Sequence, residues 1–259
     1  MSDFAPAVEA ATKIISFLSE SEREIGISEI SRGTGINKNM LFRILNTLEN
    51  SGWVYRREQK YALTLLPFKL TSRVVSRLSL NTAATPILYD LANETGESTY
   101  LGIIKGDMVL YIQHIDGVKD VRVAGRIGGE YGLYCSAPGK VLLAYSDTDY
   151  IEEYLSHQLE KRTKNTITER SVLLSEVESI RKNGYATDCE EFGNSITCVA
   201  APVFDHTGKV VGTVGCSAYT PNGDSDTVIK RLLRPVLSSA EKLSARLGAE
   251  AGHRFKIYR

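Results

Sequence analysis

The sequence predicts an α+β protein of two domains joined by a helix: an N-terminal winged helix-turn-helix, a linker helix, and a larger C-terminal domain with helices packed on an antiparallel sheet. Three observations predict it. Apolar residues recur at helical spacing up to Gly52, with only a short turn around Gly35 dividing two of the helices. A short apolar hairpin with a charged tip follows. From Thr99 onward the apolar period falls from the helical value to two, the period of a half-buried strand.

Taken in order, Pro6 to Ser19 reads as a helix with Val8, Ala11, Ile15 and Leu18 on its apolar stripe. Ser28 is placed to N-cap a short helix carrying Ile30 that Thr34-Gly35 ends, and Asn37 to cap a second one. In that second helix Leu41, Ile44, Leu45 and Leu48 fall at i, i+3, i+4 and i+7, and Gly52 is its stop. Trp53 to Tyr55 and Tyr61 to Thr64 read as strands around the charged tip. Residues 67–81 have helical spacing and no Gly- or Ser-rich break, so domain limits of 1–66, 67–81 (linker helix) and 82–259 are expected.

In the second domain Ala83 to Glu94 reads as a helix with Ile87, Leu88 and Leu91 inward. Thr99 to Ile104 and Met108 to Ile115 form a hairpin around Lys105-Gly106-Asp107, with Val121 to Ala124 as a third strand. Lys140 to Tyr145, Asp149 to Leu159 and Val172 to Lys182 read as helices, the last stopped by Gly184. Thr197 to Phe204 and Val210 to Ala218 read as strands, and Ser225 to Leu247 as a closing helix that Pro235 should kink or break.

The chain has 259 residues, 42% of them hydrophobic, with 31 basic and 31 acidic side chains, so its total charge points to no class of partner. The distribution is uneven: residues 31–80 carry nine Lys/Arg against two acids, whereas residues 1–30 carry two against six. A polyanion would feel that local field. No apolar run approaches the roughly 20 residues of a membrane span, and the start MSDFAPAVEAATK lacks the basic and apolar regions of a secretory signal, so a cytoplasmic protein off the membrane is expected. The four cysteines form no C-x-x-C pair and suggest neither a disulfide framework nor a zinc knuckle. H-E-x-x-H, Walker and G-x-G-x-x-G motifs are absent, so no cofactor or metal is expected.

With Leu41, Ile44, Leu45 and Leu48 inward, the second helix of the pair turns Lys38, Asn39, Phe42, Arg43, Asn46 and Thr47 outward. Such a helix enters the major groove, where an Asn pairs with an adenine edge, an Arg with a guanine edge, and a Lys at the helix start suits a phosphate. Arg56, Arg57 and Lys60 on the hairpin would meet the DNA backbone or minor groove.

The segments "ISEISRGTGINKNMLFRILNTLENSGWV" and "KYALT" resemble the winged-helix half of the isocitrate lyase regulator (IclR) family of bacterial transcriptional regulators. The resemblance continues through "YCSAPGKVLLAY" and "TITERSVLLSEVESIRKNGYATDCEEFGNSITCVAAPVFDHTGKVVGTVGCSA", nearly the whole chain. It implies a GAF-like effector-binding fold for the second domain, control by a small organic acid, and dimers or tetramers on a pseudo-palindromic double-stranded operator. A weaker likeness in "EREIGI", "KYALTL" and "GKVLLAY" is to members controlling sugar-acid catabolism. The implied effector positions are Ser136, Ala137, Pro138 and Gly139 at a helix start, Asp188, Ile196 and Cys198, and Gly215 with Ser217, where members often have Ser-x-Ser. A helix N-terminus suits a carboxylate, although proline has no N–H to offer.

Two other readings compete. One is a winged helix that binds protein instead of DNA. The other is a cysteine hydrolase whose Cys135 thiol is lowered by a helix N-terminus, but His114, His157, His206 and His253 all stand isolated in sequence. No turnover is expected.

Overall fold

Ala5 leads into α1 (Pro6–Ser19) in a computed structural model that describes residues 5–75 and 79–249, the side chains of 71–75 and 79 excepted. The chain divides into two units, Met1–Arg77 and Leu78–Arg259. In the first, β1 (Ile25–Gly26), α2 (Ile27–Thr34), α3 (Lys38–Asn50), β2 (Val54–Arg57), β3 (Lys60–Leu63) and α4 (Leu66–Val75) follow α1. The strands form an antiparallel sheet in the order β1-β3-β2. The core joins Ile14, Leu18, Ile30, Leu41, Leu45, Val54 and Tyr61, so the two-helix unit and the wing are one packed body. Truncating the fully buried Leu45 to alanine would cost about 2–5 kcal/mol.

Two local expectations change here. The buried stripe of α1 is Ala10, Ile14 and Leu18, with Val8 63% exposed. Ala11 and Ile15 are partly buried and pack on the same core, so of the expected stripe only Val8 stands outside it. Ser28 is no N-cap: α2 begins a residue earlier, at Ile27, behind Gly26, because Ile25 and Gly26 are drawn into the sheet with β3. Asn37 does cap α3, its side chain accepting from the Met40 N–H at 2.9 Å. The stretch expected as a linker helix falls on α4 and the first turn of α5, and its residues 76–78 lie outside the described residues.

The second unit runs α5 (Ser79–Thr95), β4 (Ser98–Lys105), β5 (Met108–Ile115), β6 (Glu130–Gly132), α6 (Ala137–Ala144), α7 (Thr148–Tyr154), α8 (Arg170–Asn183), β7 (Ala186–Cys189), β8 (Ile196–Phe204), β9 (Val210–Tyr219) and α9 (Ser225–Arg246). All six strands pair antiparallel in the order β6-β5-β4-β9-β8-β7. Strand alternation sorts the two faces. Leu101, Val199, Ala201, Val214 and Cys216 pack against α5 and α9, while Tyr100, Tyr111, Cys198 and Ala200 pack on the side of α6 and α8.

The third strand of the meander is Glu130–Gly132 against Met108–Leu110, not Val121–Ala124. Val121 is exposed, and the Val123 carbonyl is held by the Ser98 hydroxyl at 2.8 Å in place of a ladder. The helix expected over Asp149–Leu159 ends at Tyr154. Pro235 does not break α9, which stays helical for 22 residues because Leu232, Val236, Ala240 and Leu243 bury its inner face on the sheet. Among the described residues no helix is long and apolar enough to cross a membrane.

Candidate nucleic-acid interface and effector site

The outer face of α3 is set by what its inner face buries. Leu41, Ile44, Leu45 and Leu48 point into the core, so Lys38, Asn39, Phe42, Arg43 and Thr47 are exposed and Asn46 is half-buried. The Thr47 hydroxyl donates back to the Arg43 carbonyl at 2.9 Å, which leaves its oxygen lone pairs and methyl outward. On the wing, Arg57 pairs with Lys60 across the hairpin, and the tip residues Glu58 and Gln59 have φ of 45° and 64°. Positive φ at both central residues is what a tight two-residue hairpin needs, and it holds two cations side by side. Arg56 is engaged at the tip, donating to Gln59 Oε1 at 2.6 Å with its guanidinium 5.9 Å from the Tyr61 ring centre. Lys38, Arg43, Arg57 and Lys60 form no ion pair with any described residue.

The second group of residues lies inside the second unit. Ser136 caps α6: its hydroxyl donates to the Gly132 carbonyl at 2.7 Å and accepts from the Gly139 N–H at 3.2 Å. The Lys140 N–H returns to the Ser136 carbonyl at 2.9 Å and Pro138 has none, so among the bonds of this helix start the Ala137 N–H is left over. Gly139 is pressed against the preceding chain; a Cβ there would stand 2.5 Å from the Gly132 carbonyl oxygen. All eight residues of α6 are buried, Lys140 included. Its ammonium meets Glu191 at 2.7 Å and Glu176 at 3.2 Å. Burial alone would lower the Lys140 pKa, but the two carboxylates outweigh it and hold it up.

Asp188 Oδ1 accepts from the Glu191 and Phe192 N–H groups at 2.7 and 3.3 Å. Its Oδ2, like Glu191 Oε2, is buried without a hydrogen bond among the described residues. Burial, and after it the Glu191 charge, pushes the Asp188 carboxyl up to about 7. Asp188 stands opposite Cys198 on the neighbouring strand, and Cys198 opposite Ser217, with the thiol 3.2 Å from the hydroxyl. Ile196, half-buried, packs on the same cluster, and Gly215 lies two residues from Ser217 on that face. The segments at residues 136–139, 188–198 and 215–217 therefore meet on the α6 side of the sheet, while Cys216 points to the other side, against Thr95.

Gly215 is crowded: a Cβ there would lie 2.5 Å from the Tyr100 hydroxyl and 2.3 Å from the Val199 carbonyl oxygen. Tyr100 thus brings a hydroxyl to the place where a serine at 215 would have put one. Its ring stacks on Tyr111 at 4.6 Å between centres, Tyr111 meets Tyr131 at 4.2 Å, and Tyr131 meets Phe192 at 5.3 Å. Sequence reasoning missed Tyr100, Tyr111, Lys140 and Glu191. A signal was there, in two tyrosines on inward positions of a hairpin and one lysine in the otherwise apolar "GKVLLAY".

The hydrolase reading fails on Cys135. Its thiol is fully buried two residues before α6, and burial pushes it up to about 12 instead of activating it. His253 lies outside the described residues, and among those described no three His, Cys, Asp or Glu side chains group to hold a metal ion.

Residues 7–58 match the IclR helix-turn-helix domain, and residues 72–245 match the bacterial transcriptional regulator IclR C-terminal domain. The HTH-type transcriptional regulator KdgR of Escherichia coli K12 is 34% identical over 247 residues, 93% of this chain and 94% of the relative. The IclR crystal structure from Thermotoga maritima superposes with a TM-score of 0.79 at 30% identity, over 94% of this chain and 99% of that one. An IclR homologue from Microbacterium hydrocarbonoxydans, crystallised with 4-hydroxybenzoate, shares the fold with a TM-score of 0.82 at 19% identity, over 93% and 98% of the two chains.

Proposed function

The chain belongs to the IclR family of DNA-binding bacterial transcriptional regulators, not to an enzyme family, and from that premise we propose how its two units divide the work. The first unit reads a pseudo-palindromic operator, with Asn39 and Arg43 on base edges, Asn46 and Thr47 beside them, and Lys38, Arg56, Arg57 and Lys60 on the backbone. One such unit makes few contacts, so the protein acts in the cytoplasm as a homodimer or tetramer, with residues 67–81 linking the units. The second unit takes a small organic acid, sugar-derived, between the α6 start and the Asp188, Cys198 and Ser217 side chains. Binding there changes operator affinity.

The observation that carries the DNA half is the set of four exposed cations on α3 and the wing with no acidic partner among the described residues. For the effector half, the support is the α6 start, which suits a carboxylate, beside a buried polar cluster whose Asp188 and Glu191 oxygens without a bond could accept from a sugar acid's hydroxyls. The neighbour holding 4-hydroxybenzoate adds that an acid can be accommodated by this fold. Fluorescence anisotropy with duplex from the intergenic DNA beside its gene, against a scrambled duplex, tests the DNA half. Four phosphate-facing cations per protomer, Lys38, Arg56, Arg57 and Lys60, predict for a dimer a log K versus log salt slope of about −7. Equal, salt-insensitive binding to both duplexes would favour the protein-interaction module.

A further inference from the structure

Phe42 is 49% exposed on the outer face of α3, where every other outward side chain is polar or charged. Single exposed apolar residues are ordinary on protein surfaces and need no partner. Position distinguishes this one. Asn39, Phe42, Arg43 and Asn46 stand at i, i+3, i+4 and i+7, one continuous stripe, and Phe42 is in its middle. Lys38 lies one turn before Phe42 on the same side, so this end of the stripe is cationic, and Lys38 and Arg43 form no ion pair with any described residue. An apolar protein surface or a neutral lipid would have to desolvate those cations and amides, whereas a polyanion satisfies them.

On the floor of a major groove the one apolar group offered to a side chain is the thymine C5-methyl. We propose that Phe42 reads a thymine in each operator half-site by packing its ring on that methyl, which makes it a specificity-determining residue. The inference rests on α3 being the helix that enters the groove. Spacing adds a register: three helical residues advance about 4.5 Å along the axis, close to the roughly 3.4 Å of one base step. The thymine therefore lies within about two base pairs of the adenine paired with Asn39.

The test starts from duplexes selected by the full-length chain from a random pool, then replaces each thymine singly with uracil, which removes only the methyl. Wild type should lose about fourfold in affinity at one thymine per half-site, the worth of one buried methyl group. Phe42→Ala should bind the thymine and uracil duplexes equally and select sites without that thymine; Phe42→Leu should keep a reduced preference. A scan with no sensitive thymine, or one equally sensitive in Phe42→Ala, overturns the proposal. Selection with Arg43→Ala separates the two levels: a motif altered by that change together with a flat uracil scan would leave α3 in the groove and Phe42 without this role. Motifs unchanged by both Arg43→Ala and Phe42→Ala would remove α3 itself.

Discussion

The outward face of α3 and the buried face beneath α6 both carry charge, but they hold it in opposite ways. On α3 and the wing, Lys38, Arg43, Arg57 and Lys60 are exposed and form no ion pair with any described residue; beneath α6, Lys140, Glu191 and Asp188 are out of water and bound to one another. An exposed cation contributes almost nothing to folding and is available to a polyanion. A buried one must be paired, so any small ligand admitted there changes the balance of the cluster. Under the proposed function, one surface would recognise by presenting charge, the other by offering buried groups that still lack a bond among the described residues.

The largest expected effect falls on Lys140. Lys140→Ala should cost about 3–5 kcal/mol, because it strands Glu191 among buried groups; equilibrium denaturation reads it, and a loss below about 1 kcal/mol would mean that water already reaches the cluster. Asp188 gives the pH dependence. Its folded carboxyl titrates at about 7, above the usual unfolded value of about 3.9, so its neutral form is the one the fold favours. The stability it contributes is complete below pH ~4, falls as pH rises through the folded value, and is then flat. Between pH 5.5 and 7 the loss should be about 2 kcal/mol, and Asp188→Asn should flatten it.

On the exposed side the effects are smaller and fall on binding. Arg43→Ala should cost about 1–3 kcal/mol at its preferred operator and relax the base preference at one position. Arg57→Ala should weaken all duplexes about equally and reduce the salt slope by about one per contact removed; a sequence-dependent loss would assign it to base reading. Ser28→Ala should stay within about 0.5 kcal/mol, since Ser28 caps nothing. A loss near 1 kcal/mol would restore the N-cap read from the sequence.

The two surfaces also differ in how far the sequence disclosed them. The outward face of α3 was legible because it is one helix: Leu41, Ile44, Leu45 and Leu48 fix the buried side, and the remainder is outward by subtraction. The wing tip followed from a charged stretch between two short apolar runs, although β1, only two residues long, left no periodicity to read. Beneath α6, the family resemblance named Asp188, Cys198 and Ser217; the inward tyrosine and the lone lysine of an apolar helix were signals for Tyr100 and Lys140, but their meeting with Gly215 and Glu191 comes from strand register and helix packing that no local pattern encodes. The same holds for Gly215, whose missing side chain makes sense only once Tyr100 is seen across the sheet. Ser28 as a cap and Val8 as a stripe residue failed for a simpler reason: each had a rival within a residue or two, and tertiary contacts chose between them.

Linkage makes coupling between the two surfaces measurable from both ends. The direct measurement is operator affinity by anisotropy in the presence of pyruvate, galacturonate or 4-hydroxybenzoate, paired with calorimetric affinity for the same acid with and without operator, for wild type and Ser217→Ala. The account predicts that at least one acid shifts DNA affinity about fivefold or more, that the operator shifts affinity for that acid by the same factor, and that Ser217→Ala weakens the acid while leaving acid-free DNA binding intact. Operator affinity unmoved by all three acids, or a shift that survives Ser217→Ala at unchanged acid concentration, would contradict it.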